Sequence, residues 1–460
     1  MRNSYIHAVP ACVVSVLLSA CGGGGSDSAP AATTTTTTPV AVTTSASSSS
    51  GAVGAFTSNG VTYAVAPAAT TTSSGVGSAS LITFPNTGAM VGAASVAQIS
   101  KTVIQTSLKT SSGSAAAVSG TSVDPTNDLG MAFNYYISKI SIFKLSTATE
   151  ISTYDSAVTT GANYSGGSGI VTVGAVMDSA LKSIILATGG GFQVIDYSTP
   201  ASPVLKKTIP SLLADPVNGV EVMENFGYDN LLASGPLILT GGKESGTGGG
   251  PFPLVLVSPT SGKVYRPDTA TAAYFVTSQY IDSIAVDTVY HVAVLADEGM
   301  GTTFVDLNQL TLNAAAGTYT LPQAAVSRIT TYTKMDNLGV ESNTHLMMMG
   351  QGYGGYQVVV AKLKDPKTGL GFAQEKLFTM PAGTDNLSNS YSFSGGYDPH
   401  TSGAYRDANG VARGLWVDGS GGHIAVINLA NVLAGYTGTS SSTYNPLSPT
   451  PKDIAYFAVP

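Results

Sequence analysis

From Val61 onward one pattern recurs through this chain. A short apolar strand runs into a glycine-rich turn, and a second, strongly apolar and β-branched strand follows. The clearest copy is Ser183 to Thr188, the turn Gly189-Gly190-Gly191, then Phe192 to Asp196. Regular copies occupy 291–307, 345–363 and 414–429, and looser ones 236–259, 129–145 and 61–84, which makes seven. The second strands centre on 82, 142, 195, 256, 305, 360 and 426, so the intervals are 60, 53, 61, 49, 55 and 66 residues. Each interval has room for four strands of ordinary length with their turns. β units repeated at this size read as propeller blades, whereas the rungs of a β-helix are much shorter. No helix of ten or more residues is evident. The expected fold is therefore all-β, a β-propeller of seven blades.

If each copy supplies strands b and c of a blade, strand a lies upstream, as at Ile170–Met177, Gly219–Met223 and Ile281–Asp287. Strand d lies downstream, as at Pro203–Ile209. The first copy has no obvious strand a, and Asp453–Pro460 is an isolated apolar strand after a Pro/Ser-rich loop. The expectation is that this last strand closes the ring by pairing with the N-terminal strands in a shared blade.

Charged residues make up only 10% of the chain and the net charge of −7 is spread thinly. Binding to nucleic acid is excluded as an expectation, because neutralising phosphates needs clustered Lys and Arg. The same dilution makes an anionic lipid surface an unattractive partner for the folded part.

The N-terminus carries an address. Arg2 gives a short basic start, and Ala8 to Ala20 is an apolar run too short to span a bilayer. It ends in Leu18-Ser19-Ala20-Cys21, which resembles a bacterial lipobox. The resemblance implies cleavage before Cys21, lipidation of Cys21, and membrane contact through its acyl chains. Of the two cysteines, Cys12 would leave with the signal, so no disulfide is expected and stability must come from core burial. Residues 22–54, including the run Thr33 to Thr38, cannot bury a core and read as a disordered Gly/Ser/Thr-rich tether. Gly22 rather than Asp after the cysteine implies outer-membrane export in a Gram-negative cell. The expected organisation is a signal peptide at 1–20, a lipidated tether at 21–54 and a propeller at 55–460.

The string Ile184 to Leu205 (IILATGGGFQVIDYSTPASPVL) resembles the LVIVD-type propeller repeat, in which a Gly-rich turn precedes an aliphatic-V-I-D strand and an S-x-P-x-x-P turn. Phe192 to Pro203 carries the resemblance and Thr303 to Leu307 carries part of it. It supports the fold and says little about activity.

In a propeller the b–c turns and d–a connections share one face, and the a–b and c–d turns share the other. Five b–c turns are glycine-rich, at 189–191, 241–250, 298–301, 350–355 and 419–422. Tight hairpins require glycine there, and no helix N-terminus or Lys-Ser/Thr follows to make a phosphate cradle. Carboxylates gather on the same face. Asp215, Asp282, Asp336 and Asp385 precede expected a strands, and Asp336-Asn337-Leu338 recurs as Asp385-Asn386-Leu387. Glu244, Asp297, Glu298 and Asp418 come from b–c turns. Convergent oxygens of this kind could hold Ca²⁺, although Asp and Asn equally cap turns. His291, His345 and His400 fall on the opposite face and His423 with the glycine turns, which argues against a three-histidine zinc or copper site. Ser179-Ala-Leu-Lys182 falls in an a–b turn and is read as chance. Tyr353 and Tyr356 on a glycine turn, with Phe252 and the single Trp416, are candidates for stacking on sugar or peptide, or for blade packing. The expected role is a lipid-anchored module that binds a protein or glycan; the rival is a Ca²⁺-dependent propeller hydrolase or lactonase.

Overall fold

The computed structural model describes residues 54–58, 61–67, 77–84, 100–109, 113–116, 118, 120–134, 137–156, 172–188, 191–210, 226–241, 254–275, 277, 281–297, 299–333, 335–351, 357–385, 389–391, 402–407, 409–418, 423–434 and 454–458. Blade 1 consists of β1 (Gly54–Ser58), β2 (Val61–Pro67), β3 (Gly77–Phe84) and β4 (Ser100–Thr106). Blade 2 is β5 (Gly120–Asp124), β6 (Leu129–Phe133), β7 (Lys139–Lys144) and β8 (Thr149–Asp155). Blade 3 is β9 (Thr172–Asp178), β10 (Ser183–Thr188), β11 (Gly191–Asp196) and β12 (Val204–Pro210). Blade 4 is β13 (Gly227–Asp229), β14 (Leu237–Thr240), β15 (Val255–Val257) and β16 (Val264–Pro267), followed by the short helix α1 (Thr269–Ala272).

Blade 5 is β17 (Ile281–Asp287), β18 (Val292–Asp297) and β19 (Gly301–Asp306), then an excursion through β20 (Thr311–Asn313) and β21 (Thr318–Thr320) before its outer strand β22 (Val326–Ile329). Blade 6 is β23 (Met335–Glu341), β24 (Leu346–Gln351), β25 (Gln357–Leu363) and β26 (Phe372–Thr379). The two-residue strands β27 (Gly383–Thr384) and β28 (Ser390–Tyr391) lead to blade 7, made of β29 (Ser402–Arg406), β30 (Ala412–Asp418), β31 (His423–Asn428), helix α2 (Leu429–Ala434) and β32 (Ile454–Ala458). Strand pairing within each blade is antiparallel, so the molecule is a seven-bladed β-propeller with only two short helices among the described residues.

The first strands of the blades form the inner ring. β5 packs on β9, β13 on β17, β17 on β23, β23 on β29, β29 on β1, and β1 on β5. Close approach there demands small residues: a Cβ on Gly339 of β23 would stand 2.6 Å from the Ala404 backbone nitrogen of β29. Buried β-branched and aromatic residues fill the spaces between blades, not within them. One cluster joins Val176, Ile185 and Phe192 of blade 3 to Ile238 and Val255 of blade 4, with Phe192 and Phe226 edge to face at 5.2 Å. Others join blades 1 and 2, 2 and 3, 4 and 5, 5 and 6, and 6 and 7. Each blade is thus apolar on both faces, the reason its b and c strands read as continuous hydrophobic runs.

Three features depart from the sequence reading. The first copy does have a strand a, β1, which begins at Gly54. The expected strand at Gly219–Met223 lies outside the described residues, and β13 serves as strand a of blade 4. The ring does not close by strand sharing: β32 pairs with β31, His423 opposite Ala458 and Ile427 opposite Ile454, so blade 7 is wholly C-terminal and blade 1 wholly N-terminal.

Two connections brace neighbouring blades. β21 pairs in parallel with β16 and widens blade 4 to six strands. Tyr319 of β21 donates to the Leu254 carbonyl at 2.7 Å, and Asp268 caps α1 while accepting from Thr320. In blade 7, α2 buries Leu429, Val432 and Leu433 in the core shared with blade 6, where Lys376 reaches the Val432 carbonyl at 3.4 Å. Deleting 453–460 strips β31 of its outer strand and of buried Ile454 and Tyr456. It is expected to lower the melting temperature and to remove hydrogen-exchange protection from β30 and β31. Protection in β2 and β3 should survive, and its loss would restore the shared-blade closure.

Candidate functional site

The most regular polar feature of the ring lies on the a–b turn face. The innermost strands of blades 2 to 6 end in Asp124, Asp178, Asp229, Asp287 and Glu341, at intervals of 54, 51, 58 and 54 residues. In the four aspartates one oxygen caps the turn that follows. Asp178 accepts the Leu181 amide at 2.8 Å, Asp229 that of Leu231 at 2.9 Å, and Asp287 those of Val289 and Tyr290 at 3.0 and 2.8 Å. Short polar side chains favour such turns because they satisfy backbone donors left over when a strand ends.

The turns close on a residue with positive φ just before strand b: Asp128 (57°), Lys182 (46°), His291 (53°) and His345 (60°). Asp and His tolerate this conformation better than most side chains. In each case the carbonyl of that residue accepts an amide from the end of strand c or just beyond it, of Leu145, Tyr197, Leu307 and Leu363 respectively. The Ser179–Lys182 string is therefore a turn device, as expected from its position.

The second carboxylate oxygen reaches the next blade. The Tyr197 hydroxyl lies 2.6 Å from Asp124 Oδ2 and 2.9 Å from the Asp178 carbonyl oxygen, and the Tyr228 hydroxyl donates to Asp178 Oδ2 at 2.5 Å. At the next two junctions the partner is an imidazole: His291 Nδ1 lies 2.8 Å from Asp229 Oδ2, and His345 Nδ1 lies 2.8 Å from Asp287 Oδ2. When ionised, each carboxylate can only accept, and Nδ1 then donates. The His345 ring stacks flat on Tyr290, with centroids 3.4 Å apart. Burial pushes Asp229 and Asp287 above the usual carboxylate range, opposed by their imidazole partners. Burial, and next the facing aspartates, drive the Tyr197 and Tyr228 phenols far up, so they stay protonated donors. The series then changes. Glu341 places both oxygens on its own turn, at Asn343 and Thr344, and Asp407 of blade 7 pairs with Arg413 of its own blade at 3.0 Å.

Of the residues singled out on the glycine-turn face, the described ones fall at separate places: two inner-strand starts, one b–c turn and one rim contact. Asp282 and Asp336 stand at the starts of β17 and β23, where the ladder slips by one residue, between Ile281 and Ser283 and between Met335 and Asn337. These are corresponding places in adjacent innermost strands. Asn337 is buried against Gly350. Asp297 is buried and caps its turn, accepting the Gly299 and Met300 amides, each at 3.0 Å. Gly301 completes that turn at φ +93°, where a Cβ would run into the Ile329 carbonyl.

Asp385, by contrast, bridges in parallel to Tyr456 of β32, the outermost strand of blade 7. There it accepts from the Asn389 amide at 2.9 Å and lies 3.1 Å from His423 Nε2. The first copy of the Asp-Asn-Leu string thus sits at the hub, whereas the aspartate of the second sits at the rim. Among the described residues no three His, Cys, Asp or Glu side chains are grouped to hold a metal ion. Asn386, Glu298, Tyr353, Tyr356, Asp215, Glu244, Phe252 and His400 lie outside the described residues. Trp416 is fully buried between blades 6 and 7, a packing residue and not a surface aromatic.

No family model matches the sequence, and no curated protein matches it. Solved structures resemble the fold. A chain of a mitotic checkpoint complex aligns at 9% identity and a TM-score of 0.43 over 78% of this chain and 80% of its own. A calcium-binding protein, regucalcin, from Agrobacterium tumefaciens aligns at 14% and 0.36 over 66% and 79%. A protein from Lactobacillus plantarum aligns at 12% and 0.41 over 85% and 98%. No residue of this chain is assigned from these likenesses.

Replacing Tyr228 with Phe leaves the buried Asp178 oxygen without its phenol donor. The expected cost is about 1–3 kcal/mol in thermal or urea unfolding. Leu231→Ser, on an exposed neighbouring turn, should stay within about 0.5 kcal/mol of wild type. Equal losses in both variants would show that the inter-blade bond contributes nothing.

Proposed function

We propose that this chain is a lipid-anchored, extracytoplasmic propeller that serves the cell envelope as a binding or scaffold module for a protein or glycan. The lipobox-like Leu18-Ser19-Ala20-Cys21 and the polar tether behind it support the anchor. The observation that carries the binding role is how the described acids are engaged. Asp178, Asp229, Asp287, Asp297 and Asp385 each cap a turn or tie neighbouring segments, so their charge serves the rigidity of the ring. A stiff ring whose sequence puts glycine-rich segments between strands b and c is suited to presenting a recognition surface.

The rival reading, a Ca²⁺-dependent hydrolase, is favoured by one observation: Asp282 and Asp336 occupy corresponding bulges at the channel end of adjacent inner strands. Ca²⁺ accepts carboxylate and carbonyl oxygens, and strand-end backbone offers the latter.

Two measurements separate these readings. Expressed in a Gram-negative host, the full chain should incorporate radiolabelled palmitate and Cys21→Ser should not; equal labelling of both would overturn the anchor. Calcium should leave the melting temperature of the 52–460 fragment unchanged in the binding reading. A calcium-dependent rise that Asp282→Asn and Asp336→Asn abolish would favour the enzyme instead.

A further inference from the structure

The outer strand of blade 7 is loosely tied to its own hairpin. Strand d follows strand c after seven residues in blade 3 and eight in blade 6. In blade 7 the 25 residues 429–453, which include α2, separate β31 from β32. A longer loop closes at a greater entropic cost, so β32 depends more on what it touches once seated. What touches it from outside is the connection that leaves blade 6.

We propose that residues 380–385 form a strap that seats β31 and β32 together, so that strap, β31 and β32 open and close as one unit while the other blades stay closed. Tyr456 of β32 is the first point of grip. Its backbone bridges in parallel to Asp385, its hydroxyl donates to the Pro381 carbonyl, and its ring lies against Gly383. A Cβ on Gly383 would stand 2.6 Å from ring carbon Cε2, so the strap lies this close only because residue 383 has no side chain. Ile454 and Tyr456 are buried in the core shared by blades 6 and 7, together with Met380 from the root of the strap.

The second grip is on β31. Asp385 closes its own turn: its amide donates to the Asn389 carbonyl at 3.0 Å, and its Oδ1 accepts the Asn389 amide at 2.9 Å. Its Oδ2 lies 3.1 Å from Nε2 of His423, the first residue of β31. The strap thus holds β32 through Tyr456 and β31 through His423. It does so from the rim, where Ala382 is exposed and Gly383 half-buried. Elements held by few contacts, with accessible backbone, are those that open locally.

His423 also stands opposite Asp418, and this pair flanks the glycine-rich segment 419–422. Closing the strap therefore fixes one end of a segment on the face proposed above for recognition. The strap itself stands on the geometry; its bearing on recognition rests on that reading. Hydrogen exchange needs no ligand, so its outcome bears on the strap whether or not that face binds anything.

Gly383→Val drives a branched side chain into the Tyr456 ring, and Tyr456→Phe removes the hydroxyl while keeping the ring. In the full chain both variants are expected to quicken hydrogen exchange in 454–458 and 423–428 by about fivefold or more. Exchange in 120–133, 227–229 and 237–240 should stay as in wild type. Unaltered exchange in 454–458 and 423–428 in either variant, or an equal increase throughout the ring, would overturn the proposal. Wild type decides independently where a variant does not fold. In rising, sub-denaturing urea, 383–385, 423–428 and 454–458 should share one opening free energy, lower than that of 335–341 and 346–351. Separate opening energies for the strap and β32 would equally overturn it.

Discussion

A carboxylate removed from water must find donors, and in this ring that demand falls at the foot of the innermost strands. The wholly buried Asp229 and Asp287 side chains stand where a strand stops and a turn begins, and Asp124 and Asp178 hold the same place with little exposure. Turn amides satisfy one oxygen, and a residue from the next blade reaches the other, joined at Asp124 by the side-chain amide of Asn127. Leaving such an oxygen unpaired costs about 1–3 kcal/mol. The same acid therefore fixes the local hairpin and the spacing between blades. Apolar cores between blades supply cohesion without direction, and these bonds supply the direction.

The two faces of the ring differ in kind as a result. The a–b turn face repeats one device from blade to blade, with an acid at the strand end, a tight turn and a residue at positive φ. The other face carries bulges at Asp282 and Asp336, a capped turn at Asp297 and the rim contact of Asp385 with Asn389 and His423.

Much of this was legible in the sequence, for identifiable reasons. Strands b and c of all seven blades could be read because both faces of a blade are buried, which leaves long β-branched runs such as Ile184 to Leu186 and Val358 to Val360. The inter-blade bonds were signalled too, by Asp287-Thr-Val-Tyr-His291 and Glu341-Ser-Asn-Thr-His345, but the pairing of Asp287 with His345 crosses 58 residues and only the fold brings them together. Closure was misread because an isolated C-terminal strand looks the same whether it joins the first blade or the last. The Asp-Asn-Leu repeat misled for a related reason: three residues do not specify position, and its first copy falls on an innermost strand while Asp385 of the second bridges to an outermost one. The parallel pairing of β16 with β21 left no sequence signal, since three-residue strands carry no period.

A double-mutant cycle on Asp178 and Tyr228 tests most directly whether carboxylate bonds tie the blades together. Asp178→Asn, Tyr228→Phe and the double variant would be unfolded in urea at pH 7. The account predicts a coupling energy of about 1 kcal/mol or more between the two residues, which belong to different blades. Additive losses would contradict it and leave the apolar inter-blade cores as what holds the ring in register.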